Sequence, residues 1–407
     1  MIKGRQYILL FLFFFTLNTI YGQKKEIAQA RQFIKNGNNL ENAESMMTKL
    51  LQDSTNKNNT KIWNTLFNAV KKQYELGNEK LYLKQQYDTA QLFIITRRMF
   101  NILESYDSVE AIPDRLGNIK IKNRDKHADF LNQYRANLYN GGNFFIKKLN
   151  FKEAYAMFND YIDCTRQPLF TKYNYLQNDK ILPEAAYWTV YCGYKMKDAK
   201  ATLLYADIAA KDTAHYMYML QYLSETYKAE NDTSRYVDCL NEGFNKYPTS
   251  PFFFPRLIDY YSHEKDYAAA MKIVNVALQM DSANVVYRFA KASVLLNTGD
   301  YAECIKICDK IILENDTLAD AFLFAGLAYF NQAAELERNV QISRSDRQRI
   351  IKCYQKAYPY LERYRELAPD QEKKWGMPLY KIYYNLNMGK KFDEIDKIIR
   401  GENNANK

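Results

Sequence analysis

The chain has 407 residues, with 57 lysines and arginines against 47 aspartates and glutamates, and only 14 glycines and 9 prolines. So little Gly and Pro argues against collagen-like, low-complexity and turn-dense all-β chains, and 35 Tyr with 23 Phe supply too much apolar surface for a disordered one. Three histidines leave little room for imidazole catalysis or a His-based metal site.

Residues 1–22 read as a secretory signal peptide. Lys3 and Arg5 form a charged start, Tyr7 to Phe15 an apolar stretch, and Gly22 a small residue before Gln23. The apolar run is about ten residues, short of the roughly 20 that a spanning helix needs. No cysteine follows it to carry a lipid. Loss of Lys3 and Arg5 takes the net charge from +10 to about +8. The mature chain is expected to be exported, periplasmic or secreted, with cleavage near Gly22 and no transmembrane segment.

In 23–130, Ala43, Met47 and Leu50 mark the second helix of a first helix pair, and Trp63 sits on a further helix. Residues 79–108 contain no Pro or Gly and predict one long helix. Residues 109–126 break the pattern, with a small hairpin expected over 112–122.

A 34-residue period then emerges. Tyr267 and Tyr301, Ala270 and Cys304, Val274 and Cys308, and Ala277 and Ile311 are each 34 apart, and each set lies on one helix face. The second-helix register runs Ala154, Ala201, Tyr236, Ala270, Cys304, Ala357, Ile395, at intervals of 47, 35, 34, 34, 53 and 38. The longest interval holds a charged, periodic insertion that predicts two lengthened helices, a helical extension at 331–350. The interval of 47 holds 166–184, expected as an ordered loop. Residues 402–407 form a polar tail.

Gly142, Phe145, Phe151, Ala154 and Phe158 make one good copy of a repeat. Gly326 and Tyr329, with Ala357, Leu361 and Pro369 closing the unit and Trp375 opening the next, make another. These residues resemble the tetratricopeptide repeat (TPR), a 34-residue helix–turn–helix unit. The resemblance implies an all-α chain, a right-handed α-solenoid of stacked antiparallel TPR-like helix pairs. It implies a degenerate part at 23–130 and the main array at 131–401. It also implies a non-enzymatic scaffold whose concave groove, lined by first helices, holds a protein or peptide partner. In this register the groove residues are Tyr139, Asn143 and Lys147 on one helix and Tyr218, Gln221, Glu225 and Lys228 on a second. Phe252, Asp259 and His263 follow on a third, and Phe289, Ser293 and Asn297 on a fourth. The Lys-and-Asn carboxylate clamp of chaperone-binding members is absent, because Tyr139 stands where a Lys would precede Asn143.

No catalytic, cofactor or metal residues can be nominated. The glycines form no phosphate-cradling loop, and neither a nucleophile elbow nor a zinc-type H-E-x-x-H run occurs. The six cysteines (164, 192, 239, 304, 308, 353) are expected as buried free thiols, Cys304 and Cys308 sharing a face, with one disulfide open among the others. Tyr227, Tyr261, Tyr267, Tyr301, Tyr329 and Tyr354 fall on packing positions, so core use explains most of the Tyr excess. A glycan-binding component of an envelope uptake system is the alternative function. Interleaved charges give no nucleic-acid stripe. Asp53, Asp88, Asp107, Asp212, Asp281 and Asp316 each precede Ser or Thr, which resembles a bacterial O-glycosylation acceptor pattern. Helix capping is the favoured reading of Asp212, Asp281 and Asp316, whereas Asp88 is expected mid-helix.

Overall fold

A computed structural model describes residues 23–113, 116–119, 121–338 and 341–400, so the expected signal peptide and polar tail lie outside the described residues. Among the described residues there is no strand. The helices are α1 (23–36), α2 (Leu40–Gln52), α3 (Thr60–Tyr82), α4 (Thr89–Glu110), α5 (Arg124–Asn132), α6 (Arg135–Lys147) and α7 (Phe151–Asp163). Then come α8 (Tyr175–Asn178), α9 (Leu182–Met196), α10 (Ala199–Leu203), α11 (Ala206–Ala209), α12 (Tyr216–Ala229), α13 (Thr233–Lys246) and α14 (Phe253–His263). The last are α15 (Tyr267–Met280), α16 (Val285–Thr298), α17 (Tyr301–Glu314), α18 (Ala319–Glu337), α19 (Arg344–Leu367), α20 (Glu372–Asn385) and α21 (Gly389–Ile399).

The chain divides into two units inside α13, between Cys239 and Leu240. In the first, α3 packs on α2 and α4, α6 on α7, and α9 on α7, α10, α11 and α12. In the second, each helix from α14 to α21 packs on the next, and α18 also touches α16 and α20. Within each unit the interior pairs are thus covered by their neighbours. All seven residues of the second-helix register are buried, from Ala154 to Ile395.

The turns inside the pairs repeat one device. Asn231 (φ 58°), Lys265 (φ 58°) and Gly299 (φ 84°) are left-handed. Each is followed by an aspartate, at 232, 266 and 300, whose carboxylate accepts from the backbone N–H three residues on, at 3.1, 3.0 and 3.3 Å. Leu149 with Asn150, and Lys197 with Asp198, do the same in the first unit. The left-handed residue reverses the chain, and the acidic or amide side chain caps the second helix.

The expected single helix over 79–108 is wrong. A looser break interrupts it: Lys84 is left-handed at φ 54°, and four residues on Asp88 is the N-cap of α4 rather than a mid-helix residue, accepting from Ala90 N–H at 2.9 Å. Of the expected hairpin, 114, 115 and 120 lie outside the described residues, and 112–113, 116–119 and 121–122 carry no strand. Residues 166–184 are ordered for a visible reason. Arg135 of α6 is buried between the rings of Tyr161 and Tyr175, at 3.7 and 3.8 Å from their centroids, and pairs with Asp179 at 2.7 Å. The charged insertion lengthens α18 and α19, and Ser343 caps the latter through Asp346 N–H.

All six cysteines are free thiols, five of them buried and Cys353 half-buried. Cys304 and Cys308 do share a fully buried face.

Two substitutions test this packing. A Cβ added at Gly193 would lie 2.4 Å from the backbone nitrogen of Thr202, so Gly193→Ala is expected to cost about 1–3 kcal/mol in denaturant unfolding. Leu149 is left-handed yet 74% exposed, so Leu149→Gly relieves strain without losing contacts and should stabilise by about 0.5–1 kcal/mol.

Candidate functional site

First-helix faces are where a helix-pair array meets a partner, and each unit has its own. In the first unit, Tyr139 on α6 is half-buried. Its hydroxyl donates to Glu184 of α9 at 2.8 Å, and its ring packs on Phe158 and Tyr161. Asn143 beside it is half-buried and Lys147 exposed. On α12, Tyr218 is 46% exposed, Gln221 and Glu225 are half-buried, and Lys228 reaches over the ring of Tyr236 at 5.6 Å. Glu225 lines a cleft of about 240 Å³ with Tyr194, Asp198 and Thr202.

A cluster of rings lies between α9 and α12. Tyr194 stacks on Tyr222 with centroids 4.8 Å apart, Tyr191 meets Tyr222 at 5.6 Å, and Trp188 meets Tyr191 at 5.6 Å. Tyr187 stacks on His215 at 4.4 Å. Burial raises the Tyr222 phenol above its ordinary value; a hydrogen bond with Tyr187 opposes this, while the neighbouring Tyr191, Tyr194 and Tyr218 add to it. Sequence reasoning did not single out Trp188, Tyr191 or Tyr222, although aromatics at 188, 191 and 194 follow helical spacing on one face.

In the second unit, Phe252 stands at the start of α14, half-buried, with the guanidinium of Arg256 over its ring at 3.7 Å. Asp259 and His263 are exposed, His263 lying 3.3 Å from Glu264. Phe289 packs edge-on against Phe324 at 6.2 Å within the core around α16–α18. Ser293 is half-buried, and its carbonyl accepts from the Asn297 amide at 2.8 Å. Tyr139 and Phe289 therefore serve packing, whereas Lys147, Tyr218, Lys228, Asp259, His263 and Asn297 are open to solvent.

Among the described residues no three His, Cys, Asp or Glu side chains are placed to hold a metal ion. His127 is buried against Tyr106, which lowers its pKa, and His215 pairs with Asp212 at 2.7 Å. Of the Asp-Ser and Asp-Thr sites, Asp53, Asp212 and Asp281 accept from backbone N–H two residues on, and Asp107 is buried against Arg124 at 2.8 Å; the expected capping fails at 212, 281 and 316, since His215, Asn284 and Leu318 are the N-caps of α12, α16 and α18. No helix among the described residues is long and apolar enough to cross a membrane.

A unit of two helices, reversed by a left-handed residue and an acidic cap and packed through small buried positions, recurs at 34 residues. The helix pairs are tetratricopeptide-type repeats. No protein-family profile matches the chain. It is similar to Hsp70-Hsp90 organizing protein 2 of Arabidopsis thaliana, 30% identical over 94 residues, which is 23% of this chain and 16% of that one. Protein 3 of the same plant is also 30% identical over 94 residues, covering 23% and 17%. The chain thus matches about a sixth of the length of these curated relatives. Among solved structures it is similar to the C-terminal part of a TPR protein from Cytophaga hutchinsonii, at 13% identity and TM-score 0.43, covering 63% of this chain and 92% of that one. A tetratricopeptide protein from Parabacteroides merdae is similar at 12% identity and TM-score 0.36, covering 65% and 97%. The assignment to TPR-type repeats stands on the period, the turns and the helix pairing.

Glu104 of α4 offers a pH test of the first unit. Burial pushes its carboxyl up to about 8, and Asp160 and Asp163 add to the effect. A carboxyl raised in the folded state binds more protons there than in the unfolded chain, so stability falls as pH rises from about 4.5 towards 8. Glu104→Gln should remove a slope of up to about 1.4 kcal/mol per pH unit, read from unfolding midpoints across that window.

Proposed function

We propose that the protein is a non-enzymatic scaffold of the cell envelope that binds a protein or peptide segment against the first-helix faces of its TPR pairs. One observation carries the reading. The second helices spend their register positions on burial, while the first helices leave Tyr218, Lys228, Asp259, His263 and Asn297 open to solvent. A face of ring, amide and both charge signs suits an extended or helical peptide, with rim charges steering the encounter. The charged and apolar pattern of residues 1–22 supports export, to the periplasm or outside the cell.

The alternative, a glycan-binding component of an envelope uptake system, draws on the rings of α9 and α12. Sugar stacking needs open ring faces. Tyr194 with Tyr222 and Tyr187 with His215 spend theirs on each other, which leaves Tyr218 as the most open of that group.

Cross-linking mass spectrometry on the native envelope identifies the partner. Tyr218→Ala and Phe252→Ala, one in each unit and made singly and together, should each weaken its capture at least about fivefold, a loss of about 1 kcal/mol or more. Undiminished capture by the double variant would falsify the assignment of the binding face. Specific binding on a glycan array with no protein cross-linked would favour the alternative.

A further inference from the structure

The lengthened helices α18 and α19 flank an open cleft of about 420 Å³, lined by none of the first-helix residues named above. One wall carries Tyr329, Gln332 and Glu335 of α18; the other carries Arg349, Lys352 and Lys356 of α19. Spacings of three and four residues put the three cations on one helix face.

The acids nearby are committed elsewhere. Glu335 accepts from the Tyr301 hydroxyl at 2.7 Å, and Glu337 accepts from Tyr354 at 2.8 Å and pairs with Lys381. Asp346 accepts from Ser343 at 2.7 Å and lies 3.5 Å from Arg349. Lys352 and Lys356 have no carboxylate partner among the described residues, and Lys356 sits 5.3 Å from the Tyr329 ring centroid. Three cations against Glu335 and the Asp346 carboxylate beside Arg349 leave the cleft at +1, carried by Lys352 and Lys356. The Cys353 thiol within it senses that field: burial raises its pKa, while Lys356, Arg349 and Lys352 pull it down.

We infer that this cleft binds a small ligand carrying two or more negative charges on clustered oxygens, a phosphate ester or a polycarboxylate. The cations repel one another until an anion sits between them, and the Gln332 amide supplies a further donor beside it. The volume lies at the small end of ligand pockets, suited to a group the size of pyrophosphate or citrate.

Titration calorimetry of the full chain with pyrophosphate and with citrate tests this. At low salt at least one should bind one-to-one with Kd below about 1 mM, and more weakly as ionic strength rises. Binding of pyrophosphate alone would indicate a phosphorylated ligand; binding of citrate alone, a polycarboxylate. Lys352→Gln with Lys356→Gln should cost at least about tenfold in affinity, or about 1.4 kcal/mol, whereas Lys152→Gln with Lys200→Gln should cost nothing. The bound probe should also slow alkylation of Cys353, the one cysteine that is not buried, a readout that needs no variant. The inference is overturned if neither probe binds at about 10 mM, if the cleft and control variants behave alike, or if bound probe leaves Cys353 alkylation unchanged.

Discussion

No helix pair in this chain can bury its apolar face by itself, and that dependence organises the rest. A lone antiparallel pair leaves one broad side of its second helix uncovered, so it must be roofed by the next pair. Roofing requires close approach, and close approach requires that something be missing at the crossing. In the second unit Ala270, Cys304 and Ala357 are small and fully buried on successive second helices. In α18 the residue is Gly326, where a Cβ would fall 2.7 Å from Leu361 of α19. The turn has to be tight for the same reason. A left-handed residue and a capping aspartate reverse the chain within a few residues, keeping the two helices side by side.

Tyrosine does two jobs in this arrangement. Its ring fills the interior between pairs, and its hydroxyl reaches a carboxylate on a neighbouring helix. Tyr301 of α17 reaches Glu335 of α18, Tyr360 of α19 reaches Asp309 of α17, and Tyr383 of α20 reaches Glu362 of α19, at 2.7 to 2.9 Å. In the first unit Tyr139 joins Glu184 and Tyr161 joins Asp179. Burial, and next the acceptor carboxylate, hold the Tyr301 phenol up to about 12, so it stays a donor. Hydrogen bonds to charged groups contribute about 1.5–3 kcal/mol each in favourable geometry. A phenylalanine would fill the same space but leave the carboxylate unpaired, which is one physical reason for 35 tyrosines against 23 phenylalanines.

The repeat was legible where the period is strict. Positions 34 apart on a helix face imply stacked pairs, and the register from Ala154 to Ile395 is buried throughout. The break at 83–88 was not legible from Gly and Pro, because Lys84 takes the left-handed conformation that glycine would favour and Asp88 supplies the cap. The better signal was present at 231–232, 265–266 and 299–300, where Asn-Asp, Lys-Asp and Gly-Asp recur at the repeat period. For the candidate face the sequence separated first helices from second, but not which first-helix residues remain open. Tyr139 and Phe289 have the spacing of groove residues and are drawn into packing by partners distant in sequence, Glu184 and Phe324. Spacing assigns a face; only the neighbouring pair decides what that face touches.

The pairing of tyrosines with carboxylates also changes how the chain's charge should be read. A balance of 57 basic to 47 acidic residues looks like a mild, diffuse excess. Yet many acids also have a fixed structural role, as caps at 88, 198, 232, 266 and 300 or as acceptors for tyrosine hydroxyls, even where they pair with a cation as well, as Asp232 does with Arg235. Their charge remains, but their position is dictated by the backbone and the core rather than by the surface cations. Lysines and arginines carry no such duty in a helix interior, so they are free to gather wherever the acids nearby are occupied. The field of the protein therefore follows from where the caps and tyrosines fall. Among the described residues, the two lengthened helices add Lys352 and Lys356, which have no carboxylate partner.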